Sequence, residues 1–154
     1  MITGIHHVAI STPDADRLLA FYRDLLGFEE VVDFTWPPGT EAADRITALD
    51  GSSARQIMLR KGRSCLELFQ FHVPAPAPGD PRRPVCDHGI THLCLEVTDI
   101  DAEYVRLRDA GMQFHCEPQE LAPGLHTTYG RDPDGNVVEL HQFAAAPSEV
   151  RITP

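Results

Sequence analysis

Ile5-His6-His7-Val8-Ala9-Ile10 returns later in the chain as Ile90-Thr91-His92-Leu93-Cys94-Leu95. The offset from His7 to His92 is 85, and the same offset carries Asp14 and Asp16 onto Asp99 and Asp101. Leu66-Glu67-Leu68-Phe69-Gln70-Phe71 returns as Val138-Glu139-Leu140-His141-Gln142-Phe143, now at an offset of 72 from Glu67 to Glu139. The fall from 85 to 72 means that the first copy holds 13 additional internal residues. Leu26-Gly27-Phe28 and Ala110-Gly111-Met112 also correspond, with a slip of one residue. Internal repetition of this kind implies two similar modules, each running His, helix, Glu.

Periodicity gives each module its elements. Residues 7–11 alternate and read as a strand. Thr12-Pro13 reads as an N-cap followed by proline at the first helical position. Leu18, Phe21, Tyr22 and Leu25 then fall at helical spacing, and Gly27 supplies a left-handed stop. In the second copy Leu93, Leu95 and Val97 alternate, Asp99 caps a helix carrying Tyr104, Val105 and Leu107, and Gly111 lies near its end. Further strands are expected over 56–59, 65–71, 126–129 and 137–143, with Asp132-Pro133-Asp134-Gly135-Asn136 as a turn before the last. Each copy therefore reads β-α-β-β-β. The expected organisation is a first module over 1–71, a stiff proline-rich linker over 72–84, a second module over 85–143, and a tail over 144–154 that is a flexible end or a dimer arm.

Strand side chains alternate between faces. Leu66 and Leu68 oppose Glu67, Val138 and Leu140 oppose Glu139, Val8 and Ile10 oppose His7, and Leu93 and Leu95 oppose His92. The apolar sets can pack on the helices, leaving the two histidines and two glutamates on the other face. If the two sheets curl around a shared cleft, His7, Glu67, His92 and Glu139 converge. Two imidazoles and two carboxylates suit one divalent ion per chain, Zn²⁺, Ni²⁺, Co²⁺, Mn²⁺ or Fe²⁺. For any one of these residues an ordinary place on a solvated sheet face is the simpler reading. The recurrence of both residue types at matching strand positions favours the metal.

Composition bounds the function. The chain has 154 residues and a net charge of −10, from 23 acids against 13 bases, which excludes a nucleic-acid binder. No apolar run approaches spanning length and the N-terminus lacks a signal-peptide build, so a cytoplasmic protein without membrane attachment is expected. Cys65, Cys86, Cys94 and Cys116 read as free thiols, and Cys65 and Cys94 share the ligand face as small core fillers.

The runs His6-His7-Val8-Ala9-Ile10, Phe21-Tyr22-Arg23-Asp24-Leu25-Leu26-Gly27-Phe28, Glu67-Leu68, Gly89-Ile90-Thr91-His92-Leu93 and Asp132-Pro133-Asp134-Gly135-Asn136-Val137-Val138-Glu139-Leu140 together resemble the vicinal oxygen chelate superfamily, which includes glyoxalases, epimerases, extradiol dioxygenases and bleomycin-resistance proteins. The resemblance implies an α+β fold of two β-α-β-β-β modules that form an open, U-shaped mixed sheet around a metal cleft, with the helices outside. It implies His7, Glu67, His92 and Glu139 as metal ligands. It also implies a metal-dependent lyase or isomerase, of the epimerase kind, that abstracts a proton next to a chelated carbonyl or hydroxyketone of a small metabolite with vicinal oxygens. Glu139 or Glu67 is then the base, and a homodimer is expected.

Two further readings stay open. An iron-dependent ring-cleaving dioxygenase would use two histidines and one glutamate, and Glu67 would occupy one of its open positions. A non-catalytic metabolite- or antibiotic-binding protein would use the same cleft without chemistry. Phe69, His126, His141, Gln56 and Arg45 are candidates for the substrate pocket, with His141 either reaching the cleft or standing at its wet rim. Arg131 is a further candidate contact for an oxygen-rich substrate. Trp36 is a lid or a loop anchor.

Overall fold

The computed structural model describes residues 1–144. The chain divides into two compact units, Met1–Gly79 and a second that begins at Asp80. The first contains β1 (His7–Ser11), α1 (Ala15–Leu19), a π-helical continuation (Ala20–Leu25), β2 (Glu29–Trp36), α2 (Glu41–Thr47), β3 (Ser53–Lys61) and β4 (Ser64–Val73). The second contains β5 (His92–Glu96), α3 (Ile100–Asp109), β6 (Gln113–Phe114), β7 (Gln119–Ala122), β8 (Leu125–Arg131) and β9 (Val137–Phe143). The class is α+β. Among the described residues no helix is long and apolar enough to cross a membrane.

Each unit is an open mixed sheet. The first has strand order β1-β4-β3-β2, with β1 parallel to β4; the second has order β5-β9-β8-β6, with β5 parallel to β9 and β7 added beside β8. The repeat extends to the register. His7 lies opposite Cys65 and Ala9 opposite Glu67, just as His92 lies opposite Val137 and Cys94 opposite Glu139. One face of the first sheet buries Ile10, Ile57, Leu59, Leu66 and Leu68 with Leu18 and Tyr22 of the helix. In the second unit Val138 and Leu140 are buried with Ile100 and Leu107 of α3. Alternation then leaves the histidines and glutamates on the opposite faces.

The helix–strand junctions are also duplicated. Asp14 Oδ1 accepts from Arg17 N at 3.1 Å, and Asp99 Oδ1 accepts from Ala102 N at 3.0 Å. Gln70 Oε1 accepts from Ala15 N at 3.0 Å, and Gln142 Oε1 accepts from Ile100 N at 2.6 Å. Each glutamine ties the free start of its helix to the strand bearing the glutamate, satisfying a backbone donor that the helix itself cannot. The cap of α1 is Asp14, not Thr12 as the sequence suggested. Thr12 Oγ1 instead accepts from Asp14 N at 3.1 Å, and Pro13 precedes the helix.

The one-residue slip between the helices has a physical form. Leu26 N donates to Phe21 O at 3.0 Å, a bond spanning five residues, so the extra residue is absorbed by π-helical winding. Of the 13 extra residues of the first unit, this slip is one, and the other 12 lie between Gly27 and Glu67, in the segment that holds α2, an element absent from the sequence expectation; β2 supplies the strand of the expected β-α-β-β-β that had been given no range. α2 is docked by Asp44, which accepts from Ser52 N at 2.7 Å and Gly51 N at 3.0 Å. The expected linker over 72–84 begins inside β4, which runs to Val73. Its later part belongs to the second unit, where Arg131 donates to the carbonyls of Pro81, Arg83 and Gly135. Arg131 is thus committed to backbone, which corrects its reading as a substrate contact. The expected tail over 144–154 lies outside the described residues except for Ala144, whose N–H donates to Gly124 O at 2.7 Å.

Candidate metal centre

Each unit holds one His–Glu pair. His7 Nε2 lies 3.3 Å from Glu67 Oε2 across β1 and β4, and His92 Nε2 lies 3.0 Å from Glu139 Oε2 across β5 and β9. The other ring nitrogen is engaged in both cases by the preceding residue. Nδ1 of His7 meets His6 Nδ1 at 2.9 Å, and Nδ1 of His92 meets Thr91 Oγ1 at 2.8 Å. This contact orients the ring and leaves Nε2 for the carboxylate side.

The remaining carboxylate oxygens are held by neighbours from the third strand of each sheet. Gln56 Nε2 donates to Glu67 Oε1, and Thr127 Oγ1 donates to Glu139 Oε1 at 2.5 Å. Glu67 is only 6% exposed. No lysine or arginine is among the partners of either glutamate in the described residues. In each unit a carboxylate with no lysine or arginine partner, buried at Glu67 and part-buried at Glu139, stands beside an oriented imidazole, a pair of donors of the kind a divalent cation takes. In the first unit that pair is His7 with Glu67, and in the second it is His92 with Glu139.

Around Glu67 the sheet face is aromatic. Trp36, which is buried, meets Phe69 edge-on at 5.9 Å and Phe71 at 6.0 Å between ring centres. Its indole N–H donates to Ser52 Oγ at 3.2 Å, so Trp36 is an anchor that also builds this wall. Phe69 and Gln56, both expected at the pocket, do stand on the face of Glu67. Arg45 lies exposed on α2, away from this hydrogen-bond network.

Around Glu139 the face is polar. His141 Nδ1 lies 3.9 Å from Glu139 Oε1, and the His141 ring meets Phe143 edge-on at 4.1 Å. Tyr129 lies opposite Glu139 in the register, with its ring 5.0 Å from that of His92. Desolvation, then the Glu139 charge, raises the Tyr129 phenol above its ordinary range. Cys94 is an exposed residue overall. Loss of water around its sulfur nevertheless pushes the thiol up to about 12, with Glu139 adding to the effect.

His126 is a correction. It pairs with Gln142, one position out of phase with Glu139, and Gln142 points to the start of α3. Alternation puts His126 on that same helix-side face, so it does not join the donor face. Thr127 and Tyr129 take that place instead. Counting the antiparallel pairing outward from Glu139 would have found both.

A family model described as Glyoxalase/Bleomycin resistance protein/Dioxygenase superfamily matches residues 4–140. The chain belongs to this superfamily. Within it, the chain is 32% identical to a 2-epi-5-epi-valiolone epimerase from Actinomyces sp., over 95% of this chain and 83% of that protein. It is 31% identical to an ethylmalonyl-CoA/methylmalonyl-CoA epimerase from Cereibacter sphaeroides, over 92% and 99% respectively. The crystal structure of a superfamily protein from Bacillus cereus shares the fold with a TM-score of 0.85 at 22% identity, covering 94% of this chain and 97% of that one.

Proposed function

We propose that this superfamily member is a divalent-metal-dependent isomerase, specifically an epimerase. It would take a proton from the carbon beside a carbonyl of a small oxygen-rich metabolite and return it to the other face. The observation that carries this reading is the duplicated pair: in each unit a histidine Nε2 and a separately tethered glutamate share one sheet face. When bound, the metal would supply a Lewis acid that makes the neighbouring C–H more acidic. The relatives named as epimerases support this class of reaction.

The chain's own residues divide the remaining work. Glu139 and Glu67 are the groups that can receive and return a proton. Thr127 and Gln56 fix Oε1 of each carboxylate, so that Oε2 is the oxygen that exchanges partners. Trp36, Phe69 and Phe71 give an apolar wall that excludes water beside Glu67. A ring-cleaving dioxygenase needs open metal positions, and the intact fourth donor, Glu67, argues against it. A homodimer acting in the cytoplasm completes the reading.

The test is solvent exchange. Protein loaded in turn with Zn²⁺, Co²⁺, Ni²⁺ or Mn²⁺ is incubated in D₂O with 2-epi-5-epi-valiolone or with methylmalonyl-CoA, and deuterium incorporation is followed by NMR. Incorporation next to the carbonyl of one substrate is expected. It should vanish in Glu139→Gln with metal content retained. Exchange that persists in Glu139→Gln would move the base elsewhere.

A further inference from the structure

The positive charge carried by the sheets is already committed. Among the described residues four lysines or arginines stand on strands: Arg55, Arg60 and Lys61 on β3, and Arg131 on β8. Arg55 pairs with Asp16 at 2.7 Å and Asp33 at 2.6 Å, and Arg60 pairs with Glu29 at 2.7 Å. Lys61 Nζ donates to the carbonyls of Leu26 and Gly27, and Arg131 donates to three backbone carbonyls. The register puts Arg60 on the face of Glu67 and Arg131 on the face of Glu139, with Arg55 and Lys61 on the helix side. Those two donor faces also carry Glu29 and Glu96. Arg45 and Arg63 lie on α2 and in the β3–β4 turn, off both sheets. A phosphate or carboxylate arriving at either donor face therefore meets carboxylates, and no strand offers it an uncommitted cation.

Beside Glu67 the same face offers a flat apolar surface. Phe69 and Phe71 stack, with ring centres 5.5 Å apart and planes 26° apart. Trp36 closes one side edge-on, and Phe34, 46% exposed, continues the surface 6.1 Å beyond it. The indole N–H is taken by Ser52, so the surface presents ring carbon and not polar atoms. Ser11 lies opposite Phe69 in β1 and is exposed, which sets a hydroxyl at the edge of this platform. A saturated ring with hydroxyl groups around its rim fits both features. Its C–H face covers apolar area, its rim oxygens keep hydrogen-bonding partners, and it brings no charge that needs one.

We propose that the substrate is an uncharged, polyhydroxylated ring ketone whose apolar face is seated on Phe69 and Phe71, and that phosphorylated and coenzyme-A-linked compounds are discriminated against. This inference rests on the isomerase reading above and narrows its substrate class. Discrimination comes from what the faces lack, since rejecting an anion needs only that its charge find no partner.

Trp36 is the chain's one tryptophan and borders the platform, so its emission reads ring binding separately from chemistry. The metal-loaded full chain is titrated with 2-epi-5-epi-valiolone, with its phosphate ester and with methylmalonyl-CoA, and deuterium exchange from D₂O is followed for each. The neutral ketone should change the Trp36 emission and exchange its hydrogen, with kcat/KM about 100-fold or more above that of either anion. Phe71→Ala should raise KM for the neutral ketone about 10-fold and leave kcat nearly unchanged, because the ring contact is made equally in the ground and transition states. Phe71→Leu, apolar but not flat, should fall between, and thermal melts check that both variants fold. Binding and exchange that favour methylmalonyl-CoA or the phosphate ester would overturn this inference and leave the isomerase reading standing. Binding of the neutral ketone without exchange would do the reverse. No emission change with the neutral ketone, or an unchanged KM in Phe71→Ala, would overturn the seat on Phe69 and Phe71.

Discussion

Gln56 and Thr127 occupy equivalent places in their two sheets, and each donates a hydrogen bond to Oε1 of its own unit's glutamate. Gln56 lies opposite Phe69, two residues beyond Glu67, and Thr127 lies opposite His141, two residues beyond Glu139. The side chains differ, yet the function of holding one carboxylate oxygen is conserved between the halves. Each unit therefore carries a three-residue group, His–Glu–donor, and not a pair alone.

Removing that donor should be felt locally. Thr127→Val keeps the shape and deletes the hydroxyl, leaving Oε1 of Glu139 short of a partner. A loss of about 1–3 kcal/mol in urea unfolding is expected, because a part-buried acceptor loses its donor. Metal affinity should also fall by about 10–100-fold, as for other outer partners of metal ligands. A variant unchanged in both measurements would show that the carboxylate does not depend on Thr127.

The glutamine tethers make a second prediction. Gln70→Ala and Gln142→Ala should each cost about 1–2 kcal/mol in chemical denaturation, since each strands a helix-start N–H. Asp99→Ala should cost about 1 kcal/mol through the same helix start, as N-cap losses do. Because Asp99 and Gln142 serve one helix terminus, the double variant should depart from the sum of the two singles.

Asp44 gives a pH-dependent prediction. The Ser52 hydroxyl, then the N–H groups of Ser52 and Gly51, hold its carboxyl below the usual range. A carboxylate lowered on folding stabilises the folded state fully above its unfolded value of about 3.9, and that stabilisation is lost as pH falls through the folded value. Asp44→Asn should therefore be less stable than the unaltered chain at pH 7. The difference should be flat down to about pH 5 and shrink progressively below about pH 4. A gap that stayed constant to pH 2 would mean that the charge of Asp44 plays no part in docking α2.

Gly135 tests the clamp on the segment that opens the second unit. Its φ is +89°, and an added Cβ would lie 2.4 Å from both Cα and O of Pro81. Gly135→Ala should destabilise by about 1–3 kcal/mol from backbone conformation alone, with the clash adding to it. A thermal melt unchanged from that of the unaltered chain would show that Pro81 moves aside freely.

Much of this was legible in the sequence because the chain writes its plan twice. The repeat located His7, Glu67, His92 and Glu139, and alternation put them opposite Leu66, Leu68, Val138 and Leu140. β9 was read to the residue, since the turn 132–136 and Phe143 bracket it. What stayed hidden was what depends on pairing. β2 is an edge strand, exposed at all but its last residue, Trp36, and so carries no alternating apolar signal. α2 has no buried face for periodicity to reveal, being held by Asp44 instead. Thr127 and His126 are adjacent in sequence, and only the β8–β9 register decides which of them meets Glu139. The same holds for Gln70 and Gln142, whose partners lie 55 and 42 residues away.

Whether the duplicated His–Glu pairs hold a catalytic divalent metal is decided by elemental analysis of untagged protein beside its His92→Ala/Glu139→Ala variant. About one equivalent of zinc, cobalt, nickel or manganese per chain is expected, lost in the variant while its fold is retained by circular dichroism. A chain that carries no metal, and takes up none when these ions are supplied, would contradict it.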